Sequence, residues 1–531
     1  MRDLLLTGVL AAQLFGATPG GADDPPFSPD AIRGHLEFLA DDLLEGRGTA
    51  TRGHEVAALY VATQFRAAGL EPAGSAGWFQ PVPLVERTPN VGGAGQLIIG
   101  EERHPFGARV LGAIAGEGAQ SWSGEAVYVG YGLVDPGQGV DDYEGLDVRG
   151  RAVVFSDAAP AALTPERYAE LARRRLEIAH ARGASGMIAL MSAEAAAEPT
   201  WSEWRDGYAS PFLNWIGDDG QPFRPIPMTF TAVMAPEAAS ALFAGAPVDA
   251  AEIANRAARG EPLAAFVLEP RVTLESENQW RRFTSPNVIG MVRGAEAGLG
   301  ECILVTSHLD HLGRDPSAGA DDIFNGALDN ASGVAALIEV ARATANAAPR
   351  RSVVFAAVTA EEIGLLGSDY LAAHGVPGCA SIAAVVNLDG GVPLHSLPEA
   401  IAYGGWHSTI GAAFEAAAEA TGVEAGIDET PPTEFFERTD HFSFARRGVP
   451  AIYLVMSGGD DEEASAAYRG RYHQPNDDLT LPFNWEGGAR FARLAHELVR
   501  RLADGPETPR WYADSPIGQQ YAPDAPKAPR P

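Results

Sequence analysis

Five short stretches in the second half of the chain carry residue types that hold divalent metal ions: His308-Leu309-Asp310, Asp329-Asn330, Glu361-Glu362, Asp389 and Tyr472-His473. Imidazole nitrogens and carboxylate oxygens are ligands that zinc takes, and a catalytic zinc site leaves one position open. Most of these stretches follow an apolar run that reads as a buried strand. In an open α/β sheet the carboxyl ends of the strands meet at one crevice, so ligands far apart in sequence can converge there. Asp329, Glu362 and Asp389 supply three negative charges against the four positive charges of two zinc ions, and a hydroxide makes up the balance.

Taken singly, each stretch has a plainer reading. A histidine close to an aspartate, as at His308 and Asp310, is commonly a hydrogen-bonded pair. Asp329 precedes an amphipathic run and suits a helix N-cap. Glu361-Glu362 suits a surface turn, Asp389 before Gly390-Gly391 a glycine turn, and His473 a loop. Five such stretches in this order, mostly at strand ends, read instead as one dinuclear site. Residues two apart on an extended strand face the same way. On that geometry His308 gives one ring nitrogen to metal while Asp310 orients the ring through the other, and His311 faces away and reads as structural. Of the paired glutamates, Glu362 reads as a ligand and Glu361 as the general base acting on water.

The elements that must position these residues alternate from about residue 285 onward. Strand runs fall at 287–291, 303–306, 353–358, 382–387 and 451–455, with helices at 332–343 and 484–502. This pattern predicts an α/β fold, a mixed, mostly parallel sheet flanked by helices. Upstream, Ser28 and Pro29 open a helix over 28–45, and a second helix over 53–68 ends at Gly69. Residues 120–275 read as a separate, smaller α/β module with strands at 126–129, 152–155 and 187–190. Its aromatic stretch 201–215 reads as surface packing or a lid. Residues 505–531 hold seven prolines without periodicity and read as a flexible tail.

With 531 residues the chain is too long for one core. A hydrophobic content of 46% and a charged content of 21% are those of a folded, soluble protein. A net charge of -31 argues against nucleic acid and anionic membrane surfaces as partners. Cys302 and Cys379 each precede an apolar run and read as buried free thiols, with a single disulfide as the alternative. Arg2 followed by an apolar run over 4–17 and small residues up to Ala22 reads as a secretory signal over 1–22. No other segment has the length of apolar sequence that a membrane span requires.

The whole order of motifs resembles the secreted di-zinc aminopeptidase family, whose fold is shared with bacterial leucyl aminopeptidase and glutamate carboxypeptidase. The resemblance implies the zinc exopeptidase fold and two Zn2+ ions per chain, one held by His308, Asp329 and Asp389 and the other by Asp329, Glu362 and His473. It also implies Glu361 as base, Asp310 as the orienting residue, and peptides as substrates. Upstream, the segments 35–47 and 53–69 resemble the N-terminal helices of these enzymes. The 141–150 stretch resembles a protease-associated domain, implying a peptidase domain split into 27–119 and 276–504 around an insertion at 120–275. Tyr472 matches a tyrosine that stabilises the oxyanion in some relatives. Arg438 matches an arginine near the substrate, and Asp440-His441 match a recurring structural pair. Gly390 departs from the family pattern, which often has a bulky residue there, and this bears on pocket shape. The expected activity is removal of N-terminal residues by zinc-activated water. The alternatives are a carboxypeptidase or acylaminoacid hydrolase on the same scaffold, a single-metal cyclase, and a non-catalytic receptor-like binding protein.

Overall fold

Val353, Val354, Phe355, Ala356, Ala357 and Val358 are each fully buried, on both faces of one strand. A strand covered on both sides needs no polar alternation, and such continuous apolar runs mark the middle of a parallel sheet. The computed structural model describes residues 27–89, 95–197, 199–223, 226–296, 300–394, 396–426, 428, 435–457 and 469–531. The signal read over 1–22 lies outside them.

The part of the sheet that carries the site is built on β1 (Phe266–Val292), β2 (Glu301–His308), β3 (Ser352–Val358), β4 (Ser381–Leu388), β5 (Glu399–Tyr403) and β6 (Ala451–Ser457). Their spatial order is β1-β3-β2-β4-β6-β5. The four central strands run parallel, and β1 and β5 lie antiparallel on either side. This is the mixed, mostly parallel sheet expected from the sequence. One face is covered by α1 (Pro29–Leu39), α2 (Arg52–Ala67), α3 (Ser332–Ala345) and α5 (Trp485–Asp504). They bring Ile32, Leu36, Phe65, Leu337, Phe491 and Leu498 into one core. The other face carries α4 (Leu366–His374), with Leu371 packed against Leu304, Val354 and Val385.

The first helix stops at Leu39 rather than near residue 45. A tight turn follows in which Glu45, Gly46 and Arg47 take φ of 48°, 67° and 51°. A side chain on Gly46 would stand 2.4 Å from the carbonyl oxygens of Gly313 and Phe324, so glycine is required where this turn meets the body of the domain.

Residues 96–275 form cores of their own, one around Leu97, Val110, Tyr128, Val154, Ile188 and Phe230, another around Val127, Val153, Ala189 and Trp201. The boundary differs from the expected residue 120. Gln96–Ile99 pairs with Val272–Glu275, and Val110–Ile114 pairs with Phe230–Met234, so these earlier strands side with the module. No linker marks the far boundary either. β1 is 27 residues long and runs from the module's strand Gly118–Tyr128 into the main sheet beside β3. In the aromatic stretch 201–215, Trp204 and Phe212 are exposed, whereas Trp201 and Trp215 are buried, and Trp215 donates its indole N–H to Asp369 on α4 at 2.8 Å.

Two further expectations are corrected. Residues 505–531 are not a loose extension. Trp511 is 1% exposed, its indole N–H donates to the Gly448 carbonyl at 2.9 Å, and Pro516–Tyr521 forms a helix. Large anchoring side chains hold this segment without any periodicity. Cys302 and Cys379 are not free thiols but a disulfide. Cys302 lies opposite Ile382 in the β2–β4 register, which brings Cys379, three residues earlier, within reach. Among the described residues, no helix is long and apolar enough to cross a membrane.

Candidate metal centre

The register of the parallel strands sets the heights of the ligand candidates. Thr306 on β2 pairs with Asn387 on β4. His308 and Asp389 each lie two residues further on and emerge level at the carboxyl ends. His308 pairs with Val358 on β3, and Glu361 and Glu362 follow in the turn beyond it. Asp329 lies in the irregular turn ahead of α3. His473 reaches in from the loop before α5.

Asp329 is the centre of the arrangement. Its Oδ1 lies 3.1 Å from His308 Nε2, and its Oδ2 lies 3.3 Å from His473 Nε2. Each imidazole nitrogen also faces a second carboxylate: His308 meets Asp389 at 3.3 Å, and His473 meets Glu362 at 3.0 Å. The five candidates therefore fall into two groups joined through one carboxylate, His308 with Asp329 and Asp389, and His473 with Asp329 and Glu362.

The donor chemistry fits bound cations. His308 Nδ1 lies 3.1 Å from the Asp310 main-chain carbonyl, which can only accept, so Nδ1 carries the hydrogen. In a neutral ring Nε2 then presents a lone pair toward two carboxylate oxygens. A proton on Nε2 or a cation held between these atoms supplies the positive charge they need, and imidazole with carboxylate is a set that zinc takes.

The ionisation of the cluster follows from the same contacts. Burial opposes charge on His308, but Asp389 and Glu361 beside it hold the imidazole well above its usual range. Burial likewise opposes charge on His473, yet hydrogen bonds to Asp329 and Glu362 raise it to about 9. Glu362 is penalised by burial, but hydrogen bonds from His311 and His473 bring it down to about 2. Asp329, despite burial, is held below the ordinary carboxylate range by His308 and His473. Glu361 behaves oppositely. Burial, and beyond it the nearby Asp440, Asp389 and Glu362, push it well above the ordinary value.

Asp310 orients His308 through its main chain rather than its carboxylate. The carboxylate accepts from Thr49 Oγ1 at 2.9 Å and from the Glu361 amide at 3.2 Å. It thus holds the backbone of the proposed base. Same-side alternation does not extend this far because β2 ends at His308. For the same reason His311 turns inward, with its Nδ1 2.6 Å from Glu362 Oε1.

Other residues that sequence reasoning missed fasten the turn of Asp329. Asp477 is fully buried, and its carboxylate accepts from the amides of Leu328 at 2.9 Å and Asp329 at 3.1 Å. Asn330 donates to Ser307 Oγ and the Leu388 carbonyl, both at 3.1 Å, and so ties the turn to the ends of β2 and β4. Tyr453 on β6 donates to the Asp389 carbonyl at 3.1 Å.

A cleft of about 300 Å³ opens onto the cluster, lined also by Phe435, Arg438, Thr439, Arg469 and Tyr472. Tyr472 stacks on His473 with ring centroids 3.8 Å apart. Arg438 stands exposed on the rim. Asp440 and His441 are fully buried behind it.

Comparison with known proteins gives the same region. The model of Peptidase family M28 matches residues 287–499. A probable zinc metalloprotease of Pyrenophora teres f. teres is 30% identical over 233 residues, 39% of this chain and 46% of that protein. Aminopeptidase YwaD of Bacillus subtilis is 33% identical over 91 residues, 17% of this chain and 18% of its own. The chain thus matches less than half the length of these curated relatives. Among solved structures, an aminopeptidase from Aneurinibacillus sp. strain AM-1 is 20% identical, with 91% of this chain and 96% of that chain covered at a TM-score of 0.45. The segment that matches the model of peptidase family M28, residues 287–499, holds His308, Asp329, Glu361, Glu362, Asp389 and His473.

Proposed function

We propose that this protein is a metal-dependent aminopeptidase that removes N-terminal residues from peptides using two zinc ions. The observation that carries the reading is the shared carboxylate, with Asp329 Oδ1 toward His308 and Oδ2 toward His473. In this reading His308, Asp329 and Asp389 hold one ion, and Asp329, Glu362 and His473 hold the other. When bound, such a pair polarises the scissile carbonyl and makes water a nucleophile at neutral pH.

The chain's own groups do the rest. Glu361 takes a proton from the attacking water and returns it to the leaving amine. Asp310 keeps the Glu361 backbone in place and steadies His308. Burial and the acids around it keep Tyr472 protonated well above neutral pH. Its hydroxyl can therefore donate to the carbonyl oxygen as negative charge develops there. Arg438 on the rim contacts the substrate.

A second reading, a carboxypeptidase or acylaminoacid hydrolase, draws on a specific feature. Arg438 and Arg469 both line the cleft, two cations able to receive a free carboxylate. A panel of aminoacyl 4-nitroanilides and of peptides blocked at either end, assayed with and without chelator, separates the two. Hydrolysis that needs a free amine and is abolished by chelator is the expected result. Hydrolysis that needs a free carboxylate selects the second reading, and chelator-resistant hydrolysis overturns both.

Export to the periplasm or medium is part of the proposal. The Cys302–Cys379 disulfide supports it, because such bonds persist in oxidising compartments. A protease-associated role for the inserted module is proposed on the resemblance of its 141–150 stretch.

A further inference from the structure

Arg47 is 1% exposed, and among the described residues no carboxylate forms an ion pair with it. Its guanidinium instead donates to four main-chain carbonyls. Nε donates to Leu309 at 3.0 Å, Nη1 to Leu39 at 2.5 Å and Asn325 at 2.6 Å, and Nη2 to Gly326 at 2.9 Å. Leu309 directly follows the ligand candidate His308. Gly326 opens the turn that presents Asp329. Leu39 ends α1. One rigid planar fork thus joins the N-terminal helix to both segments that meet at the shared carboxylate.

The turn that carries Arg47 is built for this placement. Glu45 and Arg47 hold φ of 48° and 51°, a left-handed region that non-glycine residues occupy at a cost and keep only where surrounding contacts fix them. The Arg47 carbonyl accepts from the His311 amide at 3.3 Å. Two residues on, Thr49 Oγ1 donates to Asp310, whose other oxygen accepts from the Glu361 amide. Burial lowers Arg47 to about 10, with Asp477, Asp329, Asp310 and Glu362 working against the drop, so it stays charged at neutral pH.

We infer that Arg47 is a positioning residue of the metal centre, so that the turn 44–49, outside the residues matching the peptidase family, is a working part of the site. The inference rests on the reading that the five ligand candidates hold metal. Linkage gives it a second consequence: if this turn orders the ligand segments, bound metal must in return order the turn.

The test uses Arg47→Gln and Arg47→Lys beside a control, Arg351→Gln. Arg351 is also 1% exposed and also donates to main-chain carbonyls, of Leu502 and Gly505, but it stands before β3 at the opposite end of the sheet. Zinc affinity is read by competition with a chromogenic chelator, and ligand geometry by the visible spectrum of the cobalt(II) form. Neither readout needs turnover. Arg47→Gln should weaken at least one ion about tenfold or more and change the cobalt spectrum, with Arg47→Lys in between. Arg351→Gln should lower the melting temperature and leave zinc affinity within about twofold. Wild-type affinity in Arg47→Gln, or an equal loss in Arg351→Gln, overturns the inference and leaves the aminopeptidase reading standing. If Arg47→Gln does not fold, hydrogen exchange over 44–49 in the wild-type protein decides. About tenfold faster exchange without zinc is expected, and no change overturns the inference. A wild-type protein that binds no zinc overturns the underlying reading as well.

Discussion

Glu361→Gln separates a base from a ligand. Glu361 has donor atoms within 4.8 Å of those of His308 and Asp389, close enough to belong to a ligand set. Yet Asp329, Glu362 and Asp389 each face a ligand histidine at 3.0–3.3 Å, and Glu361 forms no such pair among the described residues. Glutamine keeps the shape of the side chain, and the residue's amide still reaches Asp310. What disappears is a proton acceptor, and general acid–base catalysis by one positioned group contributes about 10²–10⁴-fold, or roughly 2.7–5.5 kcal/mol of barrier. The substitution also removes a carboxyl group whose pKa is raised by burial. The folded protein binds that proton more tightly than the unfolded chain, so the native carboxyl costs stability as pH rises above the ordinary glutamate range. With metal removed from both, the variant should therefore melt no lower than the native protein at pH 7.5. The assay is kcat on leucine 4-nitroanilide, with metal content by atomic emission and melting by circular dichroism. Loss of a metal ion together with activity would make Glu361 a ligand. Turnover within tenfold of native would remove the base assignment altogether.

Other consequences are checked more simply. The native protein should show no titratable thiol until it is unfolded and reduced. Because the disulfide spans 77 residues, Cys302→Ser with Cys379→Ser should cost up to about 4.5 kcal/mol by loop-closure entropy, read from urea midpoints. Trp511→Ala should destabilise by about 3–5 kcal/mol, as expected for a fully buried tryptophan; a loss below about 1 kcal/mol would mean that 505–531 is loose after all. His54 is fully buried, and burial followed by the Arg47 charge lowers it to about 3. Its contribution is complete above the unfolded value near 6.5 and is lost as pH falls toward 3, about 3 kcal/mol by pH 4.5. Relative to the native protein, His54→Gln should lose that part of the difference in urea stability between pH 7 and 4.5; an unchanged slope would refute it.

The main sheet was legible because its central strands are buried on both faces. Runs such as 353–358 and 382–387 are apolar without interruption, and no helix period competes with them. The module boundary was not legible because β1 serves both parts of the chain. Its 27 residues carry no glycine-rich or proline-rich break at which one core gives way to the other. The C-terminal segment was misread for a related reason. Periodicity reports repeated burial along an element, whereas 505–531 is held by single anchors such as Trp511. The disulfide depends on the β2–β4 register, which no local pattern encodes.

At the site, residue types and their order single out the five candidates that the structure brings together, three of them just at or beyond strand ends, Asp329 in the turn ahead of α3 and His473 in a loop. Their supports were hidden by distance and by a geometric rule applied too far. Strand alternation stops at His308, so the Asp310 carboxylate turns to Thr49 and the Glu361 amide while His311 turns to Glu362. A buried carboxylate survives only where cations or N–H groups meet it. For Asp477 those groups are two backbone amides of the Asp329 turn, 148 and 149 residues earlier in the chain. The Arg47 fork reaches carbonyls 262 to 279 residues away. A site whose segments are fastened by groups spread this widely should lose its geometry if the chain is cut at residue 287. Residues 27–54 should therefore unfold together with the ligand candidates whose segments they contact.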